Sequence, residues 1–370
     1  MHLRKTNFKT VFANDILPYA KKAWTAYFAD KNITEDTYHL GSIVDLVKNH
    51  RSGNKIFPEN IDIVTGGFPC QDFSPAGKRM GLGSDRCHNG KKAEGDIPNI
   101  ESRGQLYVWM REVIEITQPN VFIAENVKGL VNLKGVKDII QNDFRSVSKE
   151  GYLVVNAKVL HAADYGVPQS RERIIFIGLK KSSLTEEAIE ALSAQSVSEI
   201  YDPYPPATHS YTKEGADLLP PVTLCETFAG LDEPEISADM SQQRYSGAKY
   251  MGKGLQGQTE INLNGVGPTI RSEHHGNIEF RRLSREHGGK IINELDNGLK
   301  ERRLTVRECA RIQTFPDDYE FIISSKSGET GVSASDAYKL IGNAVPPLLG
   351  YHIAKRIEKN WDLYFGECGE

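Results

Sequence analysis

The residues of this sequence best suited to covalent chemistry are Cys70 and Glu125, each at the end of an apolar run. Cys70 follows a proline in GGFPCQDFSPAG (66–77), after the run IDIVT. A thiolate is a strong nucleophile, and nearby helix N-termini or arginines lower the pKa of a cysteine. Glu125 ends the run NVFIAEN (120–126), where a carboxyl is costly unless it is paired or exchanges a proton. The alternatives are a small buried hydrophobe for Cys70 and a helix cap for Glu125.

A third candidate group lies in QSRERIIFIG (169–178), which contains Gln169, Arg171 and Arg173. On an extended segment, side chains two residues apart point to the same face. Two guanidinium groups on one face can hold a phosphate or a carbonyl oxygen of a base. The alternative is a surface charge pair with Glu172.

The elements that must position these groups alternate along the first half of the chain. Predicted strands cover 9–15, 61–67, 120–126, 152–160 and 173–180, and predicted amphipathic helices cover 17–29, 105–118 and 134–151. This alternation predicts an α/β fold with a doubly wound, mostly parallel sheet. Such a sheet binds its ligands at the carboxyl ends of the strands. Asp15, Cys70, Glu125 and Asn126 all lie at such ends.

The periodic pattern is lost from about residue 181 to 300, where stretches rich in Pro, Tyr and Gly predict a smaller, loop-rich domain. A helix is predicted at 304–315, with its N-cap at Thr305 or the residue before it, and a last helix at 342–361. A short helix capped near Thr223 and ended at Gly230 is also predicted. We therefore expect a catalytic and cofactor domain of 1–180 plus 334–370, and a second domain of 181–333.

The composition, with 25% charged and 39% apolar residues, is typical of a soluble globular protein. We expect no membrane partner and a cytoplasmic location, because no apolar run is long enough to span a bilayer and the N-terminus lacks the apolar centre of a signal peptide. The five cysteines are scattered and predict neither a disulfide framework nor a metal site. A net charge of −4 does not favour a nucleic-acid partner. Basic residues are nevertheless dense from Arg271 to Arg303, as a solvated surface or a phosphate track.

Five blocks of the sequence, in order, resemble the DNA cytosine-5 methyltransferases of bacterial restriction-modification systems. They are GGFPCQDFS, AENVKGL, YGVPQSRERIIFIG, RRLTVRECARIQTFPDDY and IGNAVPPLLG. The resemblance covers nearly the whole chain except the middle of the loop-rich domain. It implies the fold of S-adenosylmethionine-dependent methyltransferases, methylation of C5 of a cytosine in a specific duplex DNA sequence, and a cognate restriction endonuclease as functional partner.

The resemblance also implies a role for each candidate catalytic residue. Cys70 would attack C6 of the cytosine, and Glu125 would bind N3 and the exocyclic amine and supply a proton. Arg173 would bind O2 of the base, with Arg171 supporting the site and Asn126 fixing the loop. Because the attacked atoms lie inside the duplex, the base must first be flipped out. Residues 74–103 would form a loop that closes over it, with an insertion at 87–101 of unassigned role.

Cofactor-binding residues carry over from the same resemblance. Asp15 would bind the ribose hydroxyls of S-adenosylmethionine, or cap the following helix, or do both. Ser42 stands where an acidic residue would contact the adenine. The full predicted set is Asp15, Ile16, Ser42, Ile43, Pro69, Leu106, Asn343 and Val345.

One departure from the family concerns the start of the printed sequence. The family opens with a strand that ends in an aromatic-x-Gly-x-Gly loop beside the cofactor, whereas MHLRKTNFKTVFAND corresponds to the family's second strand. Three explanations stay open: a start assigned too late, a second polypeptide that supplies the strand and loop, or a decayed enzyme. We expect the chain alone to bind S-adenosylmethionine weakly, because a sheet without this strand has unpaired edges.

DNA recognition is assigned to the variable part of the second domain, about 181–302, which would read base edges in the major groove. Arg271 in GPTIRSEHHGN (267–277) is the best candidate for a guanine contact, with phosphate contact as the alternative. The predicted DNA-binding residues are Gln71, Ser74, Arg103, Gln169, Arg271 and Arg303. Three rival functions remain: an RNA cytosine methyltransferase, a catalytically silent DNA-binding subunit, and an unrelated thiol enzyme that pairs Cys70 with a histidine such as His161.

Overall fold

The computed structural model of the chain describes residues 6–31, 33–68, 107–133, 135–272, 278–325 and 331–366. Strands and helices alternate along the first half, as the sequence predicts. The strands are β1 Ala13–Asp15, β2 Tyr38–Leu40, β3 Ile63–Gly67, β4 Val121–Val127, β5 Tyr152–Val154, β6 Lys158–His161 and β7 Glu172–Lys180. The helices are α1 Pro18–Phe28, α2 Ile43–Arg51, α3 Tyr107–Thr117, α4 Val136–Arg145 and α5 Glu186–Ser193.

The strands form a mixed sheet rather than the mostly parallel one predicted. β3 and β4 are parallel, whereas β7 pairs antiparallel with β4, β5 and β6. The stretch between β6 and β7 holds only a short 3-10 helix, Ala162–Tyr165. So short a connection cannot make the crossover that parallel strands need, and the neighbours run antiparallel. β1 and β2 form a separate parallel pair.

Helices cover both faces of the main sheet, which is the doubly wound arrangement. Alternate residues of β7 pack on opposite faces of the sheet. Ile175 and Ile177 belong to the first core, which also contains the C-terminal helices, whereas Ile174 and Phe176 pack against α3 and α4 on the other face. The C-terminal helices are α11 Pro347–Lys359 and α12 Trp361–Phe365. A proline at the start of α11 suits the first turn, where a backbone N–H has no partner within the helix.

A second core lies around α9, in the loop-rich half of the chain. Its elements are α6 Leu224–Phe228, α7 Met240–Gln243, β8 Phe280–Arg282, α8 Ile292–Asp296, β9 Arg302–Arg303, α9 Val306–Ile312 and α10 Ala334–Asn343. α5 and Tyr204 pack in the core that contains the C-terminal helices, and Tyr338 and Ile341 of α10 pack in the second core. The two-domain division itself stays a prediction.

Several predicted elements have different bounds in the structure. The predicted strand 152–160 is two strands, β5 and β6, which pair with different parts of β7. The predicted helix 134–151 ends at Arg145, and the predicted helix 342–361 begins at Pro347 and is preceded by the unpredicted α10. The caps at Thr223 and Thr305 are confirmed, each in a full capping box. None of the helices in the described ranges is both long and apolar enough to cross a membrane.

Candidate active site

Glu125 and Arg173 form an ion pair at one end of the main sheet. Antiparallel pairing of β4 with β7 sets Val127 opposite Arg173. The Arg173 Nε lies 2.7 Å from Oε1 of Glu125, and each side chain is less than one-fifth exposed. Gly67 of β3 is the partner of Glu125 on the other side, and a Cβ on Gly67 would lie 3.1 Å from the Glu125 Oε2. The absence of a side chain at Gly67 therefore leaves room for the carboxyl.

The electrostatics of Glu125 favour a carboxyl that can hold a proton. Burial raises the pKa of Glu125 above its ordinary value, while the charges of Arg173 and Arg171 act in the opposite direction without cancelling the rise. A raised pKa increases the protonated fraction near neutral pH, as an acid that must give up a proton requires. The arginine then keeps the carboxyl oriented in either protonation state.

Asn126 ties the ends of β3 and β4 together. The side chain is 1% exposed, and its Nδ2 donates to the Phe68 carbonyl at 3.3 Å while its Oδ1 accepts from the Val127 N–H at 2.8 Å. Phe68 is the last described residue before the segment that contains Cys70. Asn126 thus holds Phe68, at the end of β3, beside the end of β4.

Six predicted site residues lie outside the described residues, and the structure places none of them. They are Pro69, Cys70, Gln71, Ser74, Arg103 and Leu106.

Arg171 is buried and supports the site instead of facing it. Its exposure is 1%, and its guanidinium donates to the carbonyls of Ile270, Gly342 and Ala344 at 2.9, 2.8 and 3.0 Å. These carbonyls belong to the predicted recognition segment and to the GNAV block. Arg171 therefore connects both to the strand that carries Arg173, and its predicted role in the site stays a prediction.

Gln169 does not lie on a surface that DNA could reach, which corrects its predicted DNA contact. The side chain is fully buried; its Oε1 accepts from the Ile270 N–H at 3.1 Å, and its Nε2 donates to the amide oxygen of Gln313. Gln313, also fully buried, donates to the Ala344 carbonyl at 2.6 Å. Gln313 was missed as a site-supporting residue, although it lies within RRLTVRECARIQTFPDDY.

Four of the predicted cofactor residues line one cleft of about 830 Å³ between β1 and β3: Asp15, Ile16, Ser42 and Ile43. The Asp15 carboxylate accepts from the Leu17 N–H at 2.9 Å. Burial raises the pKa of Asp15, against the backbone hydrogen bonds from Leu17 and Ile16. A carboxylate beside apolar walls at the end of two parallel strands fits a ribose hydroxyl pair and an adenine ring.

Two other predicted cofactor residues, Asn343 and Val345, are not among the residues that line this cleft. Asn343 is exposed at the end of α10, and Val345 packs against the first core. No group of three or more His, Cys, Asp or Glu side chains among the described ranges could hold a metal ion.

The two arginines predicted to contact DNA differ in exposure. Arg271 is exposed. Arg303 is 1% exposed, and its guanidinium donates to the carbonyls of Ala248 at 2.8 Å, Gly257 at 2.6 Å and Ile278. The predicted DNA contact of Arg303 is therefore wrong in this structure, since its donors are used inside the domain.

Half of the Lys and Arg side chains of the dense basic stretch are buried, and the others are exposed; the buried ones are Arg281, Arg282, Arg302 and Arg303, and the exposed ones are Arg271, Arg285, Lys290 and Lys300. Arg282 and Arg302 are almost fully buried and both bind the carboxylate of Glu233. Arg302 also forms a two-pronged pair with Glu308, with both N–O distances 2.9 Å. Buried arginines require such partners, because an unpaired charge in the interior is costly.

His161 is placed as a capping residue of the short 3-10 helix after β6. Its Nδ1 accepts from the Ala163 N–H at 3.3 Å, and its Nε2 lies 3.5 Å from the Ser170 hydroxyl. Burial lowers the pKa of His161. This environment explains the histidine structurally without a role as the base of a thiol enzyme.

The chain matches a family of known proteins. A family model described as C-5 cytosine-specific DNA methylase matches residues 1–359. The chain belongs to this family. The class of enzyme, a DNA (cytosine-5-)-methyltransferase, is confirmed with it.

Two curated relatives are each 31% identical to this chain over the aligned residues. The type II methyltransferase M.BspRI of Lysinibacillus sphaericus is 31% identical over 356 residues, 95% of this chain and 70% of the relative. M.BsuRI of Bacillus subtilis is 31% identical over 369 residues, 98% of this chain and 70% of the relative.

Two solved structures resemble this cytosine-5 methyltransferase in fold. The Dnmt2 methyltransferase of S. pombe has a TM-score of 0.57 at 17% identity, over 96% of this chain and 93% of that one. The Entamoeba histolytica methyltransferase EhMeth has a TM-score of 0.53 at 13% identity, over 95% and 90%. At these identities the likeness confirms the methyltransferase fold class alone.

Proposed function

We propose that the chain methylates C5 of a cytosine within a specific duplex DNA sequence, with S-adenosylmethionine as methyl donor, and so protects DNA from a cognate restriction endonuclease. The observation that carries this proposal is the Glu125–Arg173 pair, 2.7 Å apart at the end of β4. Glu125 is paired with Gly67 of β3, and the neighbouring Asn126 donates to the carbonyl of Phe68, which precedes the Pro-Cys block in the sequence. An acid and a cation thus meet at one end of the sheet, and by sequence the Pro-Cys block follows β3, the strand that pairs with β4.

In the proposed reaction the Cys70 thiolate forms a bond to C6 of the flipped cytosine, and Glu125 protonates N3. The electrons displaced from the C5–C6 double bond make C5 nucleophilic, so that C5 takes up a methyl group. S-adenosylmethionine supplies that methyl group in electrophilic form. Loss of the C5 proton to a base, cleavage of the C6–sulfur bond and return of the N3 proton to Glu125 then regenerate the Cys70 thiolate and give 5-methylcytosine. The raised pKa of Glu125 supports its role, because the proton must be held before it is given.

Arg173 binds O2 of the base in this proposal and keeps the Glu125 carboxyl in place. Three further residues act indirectly, because their polar side-chain atoms already bind backbone carbonyls of neighbouring segments. They are Arg171, Asn126 and Gln313. The proposed cofactor site is formed by Asp15, Ile16, Ser42 and Ile43 on the cleft, with Pro69, Leu106, Asn343 and Val345 closing it. Base recognition is assigned to about 181–302 with Arg271, and to Gln71, Ser74 and Arg103 near the flipped base.

A covalent trap tests this function. Duplex DNA that carries 5-fluorocytosine should form a stable adduct with the enzyme and S-adenosylmethionine, because fluorine at C5 cannot leave as a proton does. We expect the adduct in the wild-type protein and in Cys225→Ser, which alters an exposed cysteine, but not in Cys70→Ser. Intact-mass spectrometry detects it. An adduct or methyl incorporation that survives Cys70→Ser would refute the mechanism.

The same assay separates the rival functions when it is run on transfer RNA beside duplex DNA. An adduct with RNA alone would favour an RNA cytosine methyltransferase. Sequence-specific DNA binding without any adduct, even when a segment with the family's glycine loop is added, would favour a silent DNA-binding subunit. The second polypeptide raised by the sequence is part of this test, because the chain alone is expected to bind S-adenosylmethionine weakly.

A further inference from the structure

A second cavity lies at the end of the main sheet opposite the candidate active site. It has a volume of about 630 Å³ and lies between β5 and the segment that follows α5. β7 connects the two sites, because Arg173 lies near its first residue and Lys181 directly follows its last. About eight residues of a strand span roughly 25 Å, so the cavity takes no part in the proposed methyl transfer.

One carboxylate and three basic side chains line this cavity: Asp202, Arg145, Lys158 and Lys181. Asp202 neutralises Lys158, whose Nζ lies 2.5 Å from the Asp202 Oδ2. The other carboxylate oxygen, Oδ1, accepts from the Tyr204 N–H at 3.1 Å. Both oxygens of Asp202 are therefore already bound, one by Lys158 and one by the backbone.

The charges of Arg145 and Lys181 are not neutralised in this way. The Arg145 guanidinium donates to the Asn142 side-chain oxygen at 3.0 Å and to the Val154 carbonyl at 3.3 Å, and both acceptors are uncharged. Within the described ranges, neither Arg145 nor Lys181 forms an ion pair with a carboxylate. Both side chains are exposed, and their two positive charges favour an anion at the rim of the cavity.

Uncharged hydrogen-bond donors line the same cavity. The side chains of Ser193, Gln195 and Ser196 have no hydrogen-bond partner among the residues that the structure describes. In that same part of the chain, the backbone N–H groups of residues 195–197 donate to no backbone carbonyl. Hydroxyl, amide and N–H donors beside cations are suited to bind the oxygen atoms of a phosphate.

The floor of the cavity is apolar. Leu153, Val155 and Leu192 line it and belong to the first core, and Val197 packs against that core. Sites for small organic molecules usually combine an apolar lining with a few polar groups in a volume of roughly 300–1,000 Å³. A bare inorganic anion would leave this floor in contact with water. The cavity therefore suits an anion that carries an organic body.

We propose that this cavity binds a small organic phosphate, whose phosphate group lies between Arg145 and Lys181 and whose organic body covers the apolar floor. Duplex DNA at the candidate active site would lie at the other end of the sheet and could not make these contacts. The contacts come from the end of α4, the residue after β7 and the segment after α5. A bound ligand holds these three segments together, so their local opening becomes less frequent.

Hydrogen exchange of the whole chain tests this binding without any measurement of methylation. The probes are uridine 5′-monophosphate and phenyl phosphate, with uridine and inorganic phosphate as controls. At about ten times the dissociation constant of each probe, exchange at 153–158 and 193–198 should slow by roughly tenfold. Uridine should give no protection because it lacks the anion. Inorganic phosphate should protect less because it lacks the organic body.

Matched substitutions locate the anion. Lys181→Gln removes an exposed cation and should weaken binding of both organic phosphates by roughly tenfold, whereas Lys181→Arg keeps the charge and should retain it. Lys355→Gln alters a lysine of α11 that does not line the cavity and should bind as wild type does.

Equal protection in Lys181→Gln and wild type would overturn the proposal, and so would equal protection by uridine and its monophosphate. Absence of protection by both organic phosphates would overturn it as well. Protection confined to the cleft between β1 and β3 would show that the nucleotide binds there instead. Protection by duplex DNA alone would assign this face to a nucleic acid, and either result would also overturn the proposal.

Discussion

Replacing Glu233 by Gln should destabilise the second core strongly at neutral pH and little in acid. Burial acts to raise the pKa of Glu233, but hydrogen bonds and charges from Arg302 and Arg282 outweigh it and lower the pKa from 4.5 to about 2. Arg302 and Arg282 contact the two carboxylate oxygens at 3.0 to 3.3 Å. The ionised carboxylate therefore stabilises the folded state.

The expected loss of unfolding free energy follows from the difference between the pKa of Glu233 in the folded and unfolded states. A fall from 4.5 to about 2 corresponds to about 3 kcal/mol of unfolding free energy at roughly 1.4 kcal/mol for each pH unit. A quarter of the Glu233 side chain is exposed, so solvent screening lowers the expected loss to about 2 kcal/mol. Because the folded pKa is depressed, this stabilisation is present above pH 4.5 and is lost as the pH falls toward 2.

Hydrogen exchange measured against urea concentration is the appropriate assay, since a chain with several cores need not unfold in one step. Amides of 279–312 should open about 2 kcal/mol more easily in Glu233→Gln than in wild type at pH 7. The difference in opening free energy between Glu233→Gln and wild type should shrink below pH 4. Glu235→Gln, at an exposed position two residues away, serves as the control and should change stability by less than about 0.5 kcal/mol. The reasoning would be refuted if Glu233→Gln lost the same stability at pH 7 and pH 3, or if Glu235→Gln lost as much stability as Glu233→Gln.

Further predictions concern the buried arginine and a close backbone contact. Arg303→Met should lower the melting temperature but leave DNA binding and its salt dependence unchanged. Arg271→Ala should weaken binding to the recognised sequence by about 1–3 kcal/mol and relax specificity at one base pair, as measured by fluorescence anisotropy. A changed slope in Arg303→Met would contradict its structural role. Gly178→Ala should cost about 1–3 kcal/mol in thermal unfolding, because the new Cβ would lie 2.1 Å from the Phe122 ring. Gly350→Ala, which meets nothing within 4 Å in a helix, should not destabilise the protein.

The structure revises one class of sequence-based prediction in particular, the exposure of arginines. The sequence places basic residues densely from 271 to 303 but does not show which carboxylates approach them. Arg302 pairs with Glu233, 69 residues earlier in the chain, and Arg303 is enclosed by carbonyls from three separate loops. Burial of a charged side chain depends on such distant partners, which local patterns do not contain.

The sequence by itself determined the features that depend on near neighbours or on characteristic blocks. The alternation of apolar runs predicted the α/β class, and the ordered blocks indicated the methyltransferase family. The helix caps at Thr305 and Thr223 could be predicted because each capping box needs only a glutamate three residues after the threonine. Only the tertiary structure decided that β7 runs antiparallel to β4, that Arg173 meets Glu125, and that residues of β1 and β3 line one cleft. Strand pairing and the approach of buried charges join residues far apart in the chain. They are fixed by the packing of the whole fold, because no local segment contains both partners.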